Sequence, residues 1–488
     1  MYFLPNYYRD IGKLVMVLSL FIIVPLIISI VGNEGILILK EYILSFIFIF
    51  CFGVLLFILA KKEQVKLPAK GLKTVGLSWI MVSIAGAIPF IFVLKKTWYD
   101  ALFESISGFT TTGITVFLGL DQMPASIIMW RGMIQWLGGL GILTFFLLLS
   151  IGKTGENWQL FSAEGHKINA SRAYPNIFKT IRSLWLIYTV LTFLEMSMLK
   201  MFGMSFFDAI LHSFTTLSTG GFSNHDLSIA YFRNGAYNFR GIEYTLVLFM
   251  FLGGCNFLLH FRVAKEGFKV YRESREFKTY LGIVITTVII ILVGGSEHFI
   301  FSFNEIEAFF RNTLFQVVSV LTTTGFGTVD LFDVYFSEVA RLVFLILMFI
   351  GGCVGSTSGG FKVMRMILLK KSLNVEVRKN FYSEKASLPV SLEKKVVPRT
   401  ELLRVANMVF AWITLIFLGS LWILLRTDLT GYQALSGMTS AVSNIGPFFF
   451  SVDKMISLPI DIKMLFGIGM LAGRLEMFPM LILFSRKR

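Results

Sequence analysis

Cysteine is almost absent: Cys51, Cys255 and Cys353 are the only three in 488 residues, and each lies inside an apolar stretch. That excludes a disulfide framework and any metal cage built on closely spaced thiolates. Five scattered histidines form no HExxH pair, which removes the signature of a zinc hydrolase. Charge is scarce as well, 15% of the chain against 55% apolar residues. No convergent set of acid, base and nucleophile is found on facing segments, as an enzyme would need. The chain is not expected to be an enzyme or to hold a bound cofactor.

What is present is long apolar runs. Ten stretches, roughly 11–31, 41–60, 74–94, 127–150, 181–202, 243–264, 279–296, 338–361, 402–425 and 462–484, read as membrane spans, since about eighteen apolar residues suffice to cross a bilayer core. The first follows Arg9 and Lys13 and lacks a small-residue cleavage site after Ile30, so it reads as a retained span. The bilayer is therefore the expected surrounding.

The net charge of +15 does not point to nucleic acid, because the basic residues occupy loops between spans. They cluster at Lys61-Lys62 with Lys66, Lys70 and Lys73, from Lys167 to Arg182, from Arg262 to Lys278, from Lys362 to Arg404, and at Arg486-Lys487-Arg488. All five clusters fall on one side if both termini are cytoplasmic, as the positive-inside rule prefers.

A short polar motif returns four times. With Gly113, Gly221, Gly325 and Gly446 superposed, the loops read FTTTGIT, LSTGGFS, LTTTGFG and SNIGPFF. Thirteen residues before each glycine stand Asp100, Asp208, Asn312 and Gln433; Asp and Asn favour helix starts, so each loop is expected to follow a short helix. About twelve residues at about 1.5 Å each reach roughly half of a bilayer core. After each loop comes an apolar segment with a small-residue pair near its middle: Gly138-Gly139, Gly253-Gly254, Gly351-Gly352 and Ala472-Gly473.

The predicted fold is an all-α polytopic membrane protein with four fused membrane-pore-membrane repeats resembling a potassium-channel pore, preceded by an N-terminal transmembrane hairpin. The expected boundaries are 1–60 for the hairpin and 61–150, 151–264, 265–371 and 372–488 for the repeats.

Four polar loops suit cation transfer, because backbone carbonyls can replace an ion's hydration shell and glycine allows the backbone angles that turn them inward. The C-terminal end of each short helix adds partial negative charge. Unequal loops, with one shared glycine each, imply weaker K⁺ over Na⁺ discrimination than four identical ones.

Gly351 to Gly360 reads GGCVGSTSGG. Glycine costs about 1 kcal/mol relative to alanine in a helix interior, so this segment is read as a helix interrupted under the loops, a movable plug, with a close-packing glycine face as the alternative. Arg474 stands where the other repeats carry Leu140, Cys255 and Cys353. It is expected either to face the pore as a latch against the plug or to pair structurally with a carboxylate such as Glu476. Beyond the loops, Asp121, Asp226, Asp330 with Asp333, and Asp453 form a candidate outer mouth that concentrates cations. Glu195, inside an apolar span, reads first as structural and second as functional.

These motifs resemble the superfamily of Trk, Ktr and HKT potassium transporters: four membrane-pore-membrane units, SGFTTTGIT, GGFSNHD, GGCVGSTSGG and the arginine of GRLE. The extra N-terminal hairpin makes the chain most similar to the TrkH-type membrane subunit. The resemblance implies a homodimer in the bacterial inner membrane that takes up K⁺ and is controlled by a cytosolic TrkA-type nucleotide-binding subunit. It places the filter at Thr111, Thr112 and Gly113, Thr219, Gly220 and Gly221, Thr323, Thr324 and Gly325, and Asn444, Ile445 and Gly446. It places the gate at Gly351, Gly352, Gly355, Ser356, Thr357, Ser358, Gly359, Gly360 and Arg474. A coupled transporter moving K⁺ with Na⁺ or H⁺ is the alternative, though such folds usually show two repeats with broken helices.

Overall fold

The computed structural model describes residues 4–61, 68–141 with 144, 177–295, 302–332, 335–382, 388–392 and 395–485. Apart from an antiparallel pair of two-residue strands, Ser391–Leu392 with Lys395–Val396, the regular structure among these residues is helical. Asp333, Lys66, most of the polar connection between repeats one and two, and Arg486-Lys487-Arg488 lie outside the described residues.

The N-terminal hairpin sets Tyr7–Leu20 and Ile23–Val31 against Ile36–Leu59. Its arms touch where two glycines cross. A Cβ on Gly12 would stand 2.6 Å from the Gly53 carbonyl oxygen, the close backbone approach that small residues permit between helices in lipid. The hairpin is fastened to repeat one by Tyr42 Oη donating to Ser126 Oγ at 3.0 Å and by Ser126 N donating to Glu34 Oε1 at 2.9 Å.

Each repeat then supplies an outer helix, a half-helix and an inner helix. They are Pro68–Leu94, Trp98–Phe109 and Ala125–Gly139 in repeat one, and Ile177–Met201, Phe206–Leu217 and Phe239–Gly253 in repeat two. Repeat three contributes Arg275–Gly294, Phe303–Leu321 and Glu338–Phe349, and repeat four Arg399–Arg426, Gly431–Ser443 and Ile460–Arg474. The helix starts differ from expectation. Asp100, Asp208 and Gln433 sit inside the first turn, and the caps are Thr97, Ser205 and Thr430, whose side chains accept from the backbone N–H of those three residues. The third half-helix begins at Phe303, well before Asn312, and runs 19 residues.

The inner helices also depart from expectation. Spans were expected to run unbroken through the small-residue pairs except in repeat three, yet every inner helix stops at that level. The reason is steric. A Cβ on Gly138 would collide with the Phe109 carbonyl, and one on Gly473 with the Val442 carbonyl, both at the end of the same repeat's half-helix. In repeats one and two the second glycine meets the next repeat: a Cβ on Gly139 would lie 2.8 Å from Ser218 Cβ, and one on Gly254 2.9 Å from Thr322 Cγ2. Only bare backbone fits between two half-helix ends, and glycine there favours a turn. In repeat two the chain bends by 98° into Phe257–Glu266. In repeat four Glu476 and Met477 take positive φ before Phe478–Phe484. Six helices among the described residues are therefore long and apolar enough to span a membrane, seven if the bent pair counts as one.

Candidate functional site

The four loops share one backbone. Thr111, Thr219, Thr323 and Asn444 have φ between 52° and 56° or, for Thr323, 58°, and the aligned glycines Gly113, Gly221, Gly325 and Gly446 have φ of 83°, 73°, 88° and 112°. A left-handed conformation in a β-branched residue is a true outlier, and such strain collects at functional sites. Three threonines hold it here in register.

The backbone N–H groups of each loop point back into its half-helix. Thr111 and Thr112 donate to Gly108 O and Ser107 O, Thr219 and Gly220 to Thr216 O and Thr215 O, Thr323 and Thr324 to Val320 O and Ser319 O, and Asn444 and Ile445 to Ala441 O and Ser440 O, all between 2.8 and 3.3 Å. These bonds also satisfy the half-helix carbonyls that a helix end leaves unpaired.

The loops meet in cyclic order. A Cβ on Gly113 would collide with the carbonyl of Gly220, one on Gly221 with that of Thr324, and one on Gly325 with that of Ile445. One on Gly446 would stand 2.8 Å from the Thr112 carbonyl oxygen, which returns to the first loop. The twelve residues singled out in the sequence thus converge on a common centre, each glycine facing the carbonyl that precedes the next glycine in the ring.

Buried polar contacts lock the ring from behind. Arg131 Nε and Nη2 donate to Glu104 Oε1 at 2.9 and 2.8 Å, and Nη1 donates to Ser223 O at 3.0 Å, tying inner helix, half-helix and second loop together. Glu104 in turn accepts from Val116 N at 3.0 Å. Arg311 pairs with Glu243, joining repeats two and three, and Lys463 meets Asp100 at 2.8 Å, joining repeats four and one. Apart from Asp100, sequence reasoning missed these residues, although a charge within an apolar segment, as at Arg131 and Glu243, is costly enough to mark itself. Glu195 is fully buried in its helix.

Directly beneath the ring, the chain unwinds between Phe349 and Val363. Its base is closed by Gly351 N donating to Phe361 O at 3.0 Å and Phe361 N to Phe349 O at 3.1 Å. Its tip reaches the ring: Gly359 N donates to Thr323 Oγ1 at 2.6 Å, and Thr357 Oγ1 donates to Leu217 O at 2.8 Å. Within the segment Ser356 and Ser358 hydroxyls lie 2.7 Å apart, and Ser358 Oγ accepts from Gly352 N at 3.1 Å. Gly355 carries φ of 78° and Gly360 of 69°. Arg474 donates through Nη1 to Thr357 O at 2.8 Å and through Nη2 to Gly138 O and to Gly139 O, the latter at 2.6 Å. Glu476, offered as a partner for Arg474, forms a 2.5 Å ion pair with Arg365. A cavity of about 60 Å³ lined by Trp79, Leu140, Gly355, Lys362, Arg474 and Glu476 lies at this level.

The expected mouth residues are not equivalent. Asp121 hydrogen-bonds His225 Nδ1, and Asp226 accepts from Gly119 N at 3.0 Å and Leu120 N at 3.2 Å, so both stitch the segment after loop one to that after loop two. Asp330 borders a separate cavity of about 470 Å³ with Asp428 and Lys454. Asp453 is exposed in a short helix, Val452–Ser457.

Fold and site together define a polytopic, all-helical membrane transport protein. The family described as "TrkH: Cation transport protein" matches residues 38–288 and 279–488. The chain is 34% identical to the Trk system potassium uptake protein TrkH of Escherichia coli K12, covering 98% of this chain and 97% of that protein. It is 30% identical to the Trk system potassium uptake protein TrkG of the same organism, over 97% and 96% of the two chains. The crystal structure of the potassium transporter TrkH from Vibrio parahaemolyticus superposes with a TM-score of 0.85 at 28% identity, covering 98% of both chains. The chain belongs to the TrkH family of cation transport proteins, membrane transporters and not enzymes.

Proposed function

We propose that this chain takes up K⁺ across the bacterial inner membrane through a channel-like pore, with the four loops as selectivity filter and the 351–360 segment and Arg474 as gate. Its relatives carry the name of potassium uptake proteins of the Trk system. The observation that carries the reading is the cyclic meeting of glycine and carbonyl around four loops of one backbone conformation. An alternation of left- and right-handed residues that gathers N–H groups on one side gathers carbonyls on the other. Here the N–H groups are bonded back to the half-helices, and, apart from Gly220 O, which accepts from Gln135 Nε2, the carbonyls ahead of the aligned glycines are left to replace water around a cation.

Beneath the filter, the unwound segment blocks the passage, and a guanidinium that is always charged sits on the route. Displacing Thr357 O and Gly359 N from Arg474 and Thr323 opens it. The distribution of basic clusters supports cytoplasmic termini, with the half-helices entering from outside. A homodimer and a cytosolic TrkA-type nucleotide-binding subunit follow from family resemblance, and the absence of a nucleotide motif in this chain assigns nucleotide control to that partner.

The test is growth rescue and ⁸⁶Rb⁺ uptake in a cell lacking potassium uptake. The chain restores both, Gly325→Ala abolishes both, and Gly119→Ala, whose φ is 75° but whose Cβ meets nothing within 4 Å, retains them. Uptake by a folded Gly325→Ala protein at the parental rate overturns the reading.

A further inference from the structure

Loop two differs from its three counterparts at one position. Where the others place Thr112, Thr324 and Ile445 before the aligned glycine, loop two has Gly220. The space a side chain would take is filled from another repeat: a Cβ on Gly220 would stand 2.5 Å from both Cδ and Oε1 of Gln135. Gln135 lies on the inner helix of repeat one and is fully buried. Its amide is used at both ends. Nε2 donates to Gly220 O at 2.7 Å, and Oε1 accepts from Phe222 N at 3.0 Å. It therefore grips loop two on either side of Gly221.

The carbonyl it holds is the one that faces Gly113 in the ring. A carbonyl already accepting a hydrogen bond offers less electron density to a cation, and the field strength of the coordinating dipoles is one of the two competing explanations of K⁺ over Na⁺ selectivity. A weaker field favours the larger, more easily dehydrated ion. We infer that Gln135 is a specificity-determining positioning residue, which fixes the loop-two peptide and weakens its carbonyl so that the ring prefers K⁺ to Na⁺. This rests on the reading of the four loops as a filter.

The consequences separate from a purely structural role. Gln135→Leu keeps the volume and removes both hydrogen bonds; the K⁺/Na⁺ permeability ratio in proteoliposomes is expected to fall roughly fivefold, the scale of the one hydrogen bond lost at the Gly220 carbonyl. Gly220→Thr alone is expected to abolish uptake, because its side chain meets Gln135. Gln135→Ala combined with Gly220→Thr opens the space, supplies a hydroxyl next to Ser218, and is expected to recover uptake with a ratio nearer the parental one.

A folded Gln135→Leu protein with the parental ratio, or full uptake by Gly220→Thr alone, overturns the inference. Gly325→Ala, run in parallel, distinguishes the two failures. If it abolishes uptake while Gln135→Leu is silent, only the role of Gln135 falls; if neither has an effect, the filter reading falls with it.

Discussion

Loops one and three are held by themselves, and loops two and four are held by amides. In loop one the hydroxyls of Thr110 and Thr112 lie 2.7 Å apart, and in loop three those of Thr322 and Thr324 lie 2.8 Å apart, a strap across the left-handed residue between them. Loop two has Ser218 and Gly220 at those places and loop four has Ser443 and Ile445, so neither can form it. Loop two is gripped by Gln135. Loop four uses Asn444, whose Nδ2 donates to Thr112 Oγ1 at 2.9 Å and to Met470 O at 2.8 Å. One backbone conformation is thus reached by two chemistries. Divergence of the motif was offset by a hydrogen-bond donor placed elsewhere.

The largest effects should come from the ring glycines, and they sharpen the contrast. Alanine at Gly221 or Gly325 collides with a neighbouring carbonyl, whereas at Gly446 the carbonyl oxygen stands 2.8 Å away. Initial rates of ⁸⁶Rb⁺ uptake should be undetectable for the first two and reduced but measurable for Gly446→Ala.

Next in size is Asn444→Ala, which removes two hydrogen bonds linking loop four to its surroundings. Each is worth about 1 kcal/mol, so the K⁺/Na⁺ ratio should fall roughly thirtyfold, against about fivefold for Thr322→Val, which removes one strap. Equal effects from bi-ionic reversal potentials would break the distinction between the loop pairs.

A smaller effect separates the odd loops from each other. Thr111 Oγ1 donates to Thr110 O at 2.7 Å, within its own loop, whereas Thr323 Oγ1 accepts from Gly359 N of the unwound segment. Thr323→Val should raise K⁺ leak in the absence of any regulatory partner by a few-fold, the scale of one hydrogen bond. Thr111→Val should not. Arg474→Ala should raise leak in the same assay.

The smallest effect concerns the mouth. His225, after loop two, hydrogen-bonds Asp121, lies 3.7 Å from Asp208 through Nε2, and stacks on Tyr231 at 3.5 Å, with the His212 ring 6.4 Å away. Burial alone would lower its pKa, but the Asp208 and Asp121 carboxylates outweigh burial and raise it above the ordinary value. A raised folded pKa means the link is complete below the unfolded histidine value and is lost as pH rises through the folded one. Thermal stability should therefore decline with rising pH across that interval in the parent, and His225→Asn should flatten the decline. A parental curve unchanged across it removes the link.

Much of this architecture was legible because it repeats. The glycine register and the spacing to Asp100, Asp208 and Gln433 located three half-helices to within a few residues, and Gly351–Gly360 announced its own break. What stayed hidden depended on partners distant in sequence. Nothing near Gly138 says that the Phe109 carbonyl presses on it, so the interruption of the inner helices of repeats one, two and four was missed. Gln135 lies 85 residues from the loop it grips, and its role emerges only when repeats one and two are seen side by side. The mouth aspartates illustrate the converse: recurrence in the sequence suggested equivalence, and Asp121, Asp226, Asp330 and Asp453 are all exposed, but Asp121 and Asp226 also hydrogen-bond His225 and the backbone after loop one.

The most direct measurement is the position of the ion. Crystals grown in Rb⁺ or Tl⁺ should show anomalous density on the axis ringed by Thr111, Thr219, Thr323 and Asn444 and by the glycines two residues beyond each. Density confined to other parts of the protein, with the ring empty at saturating ion, would contradict the account.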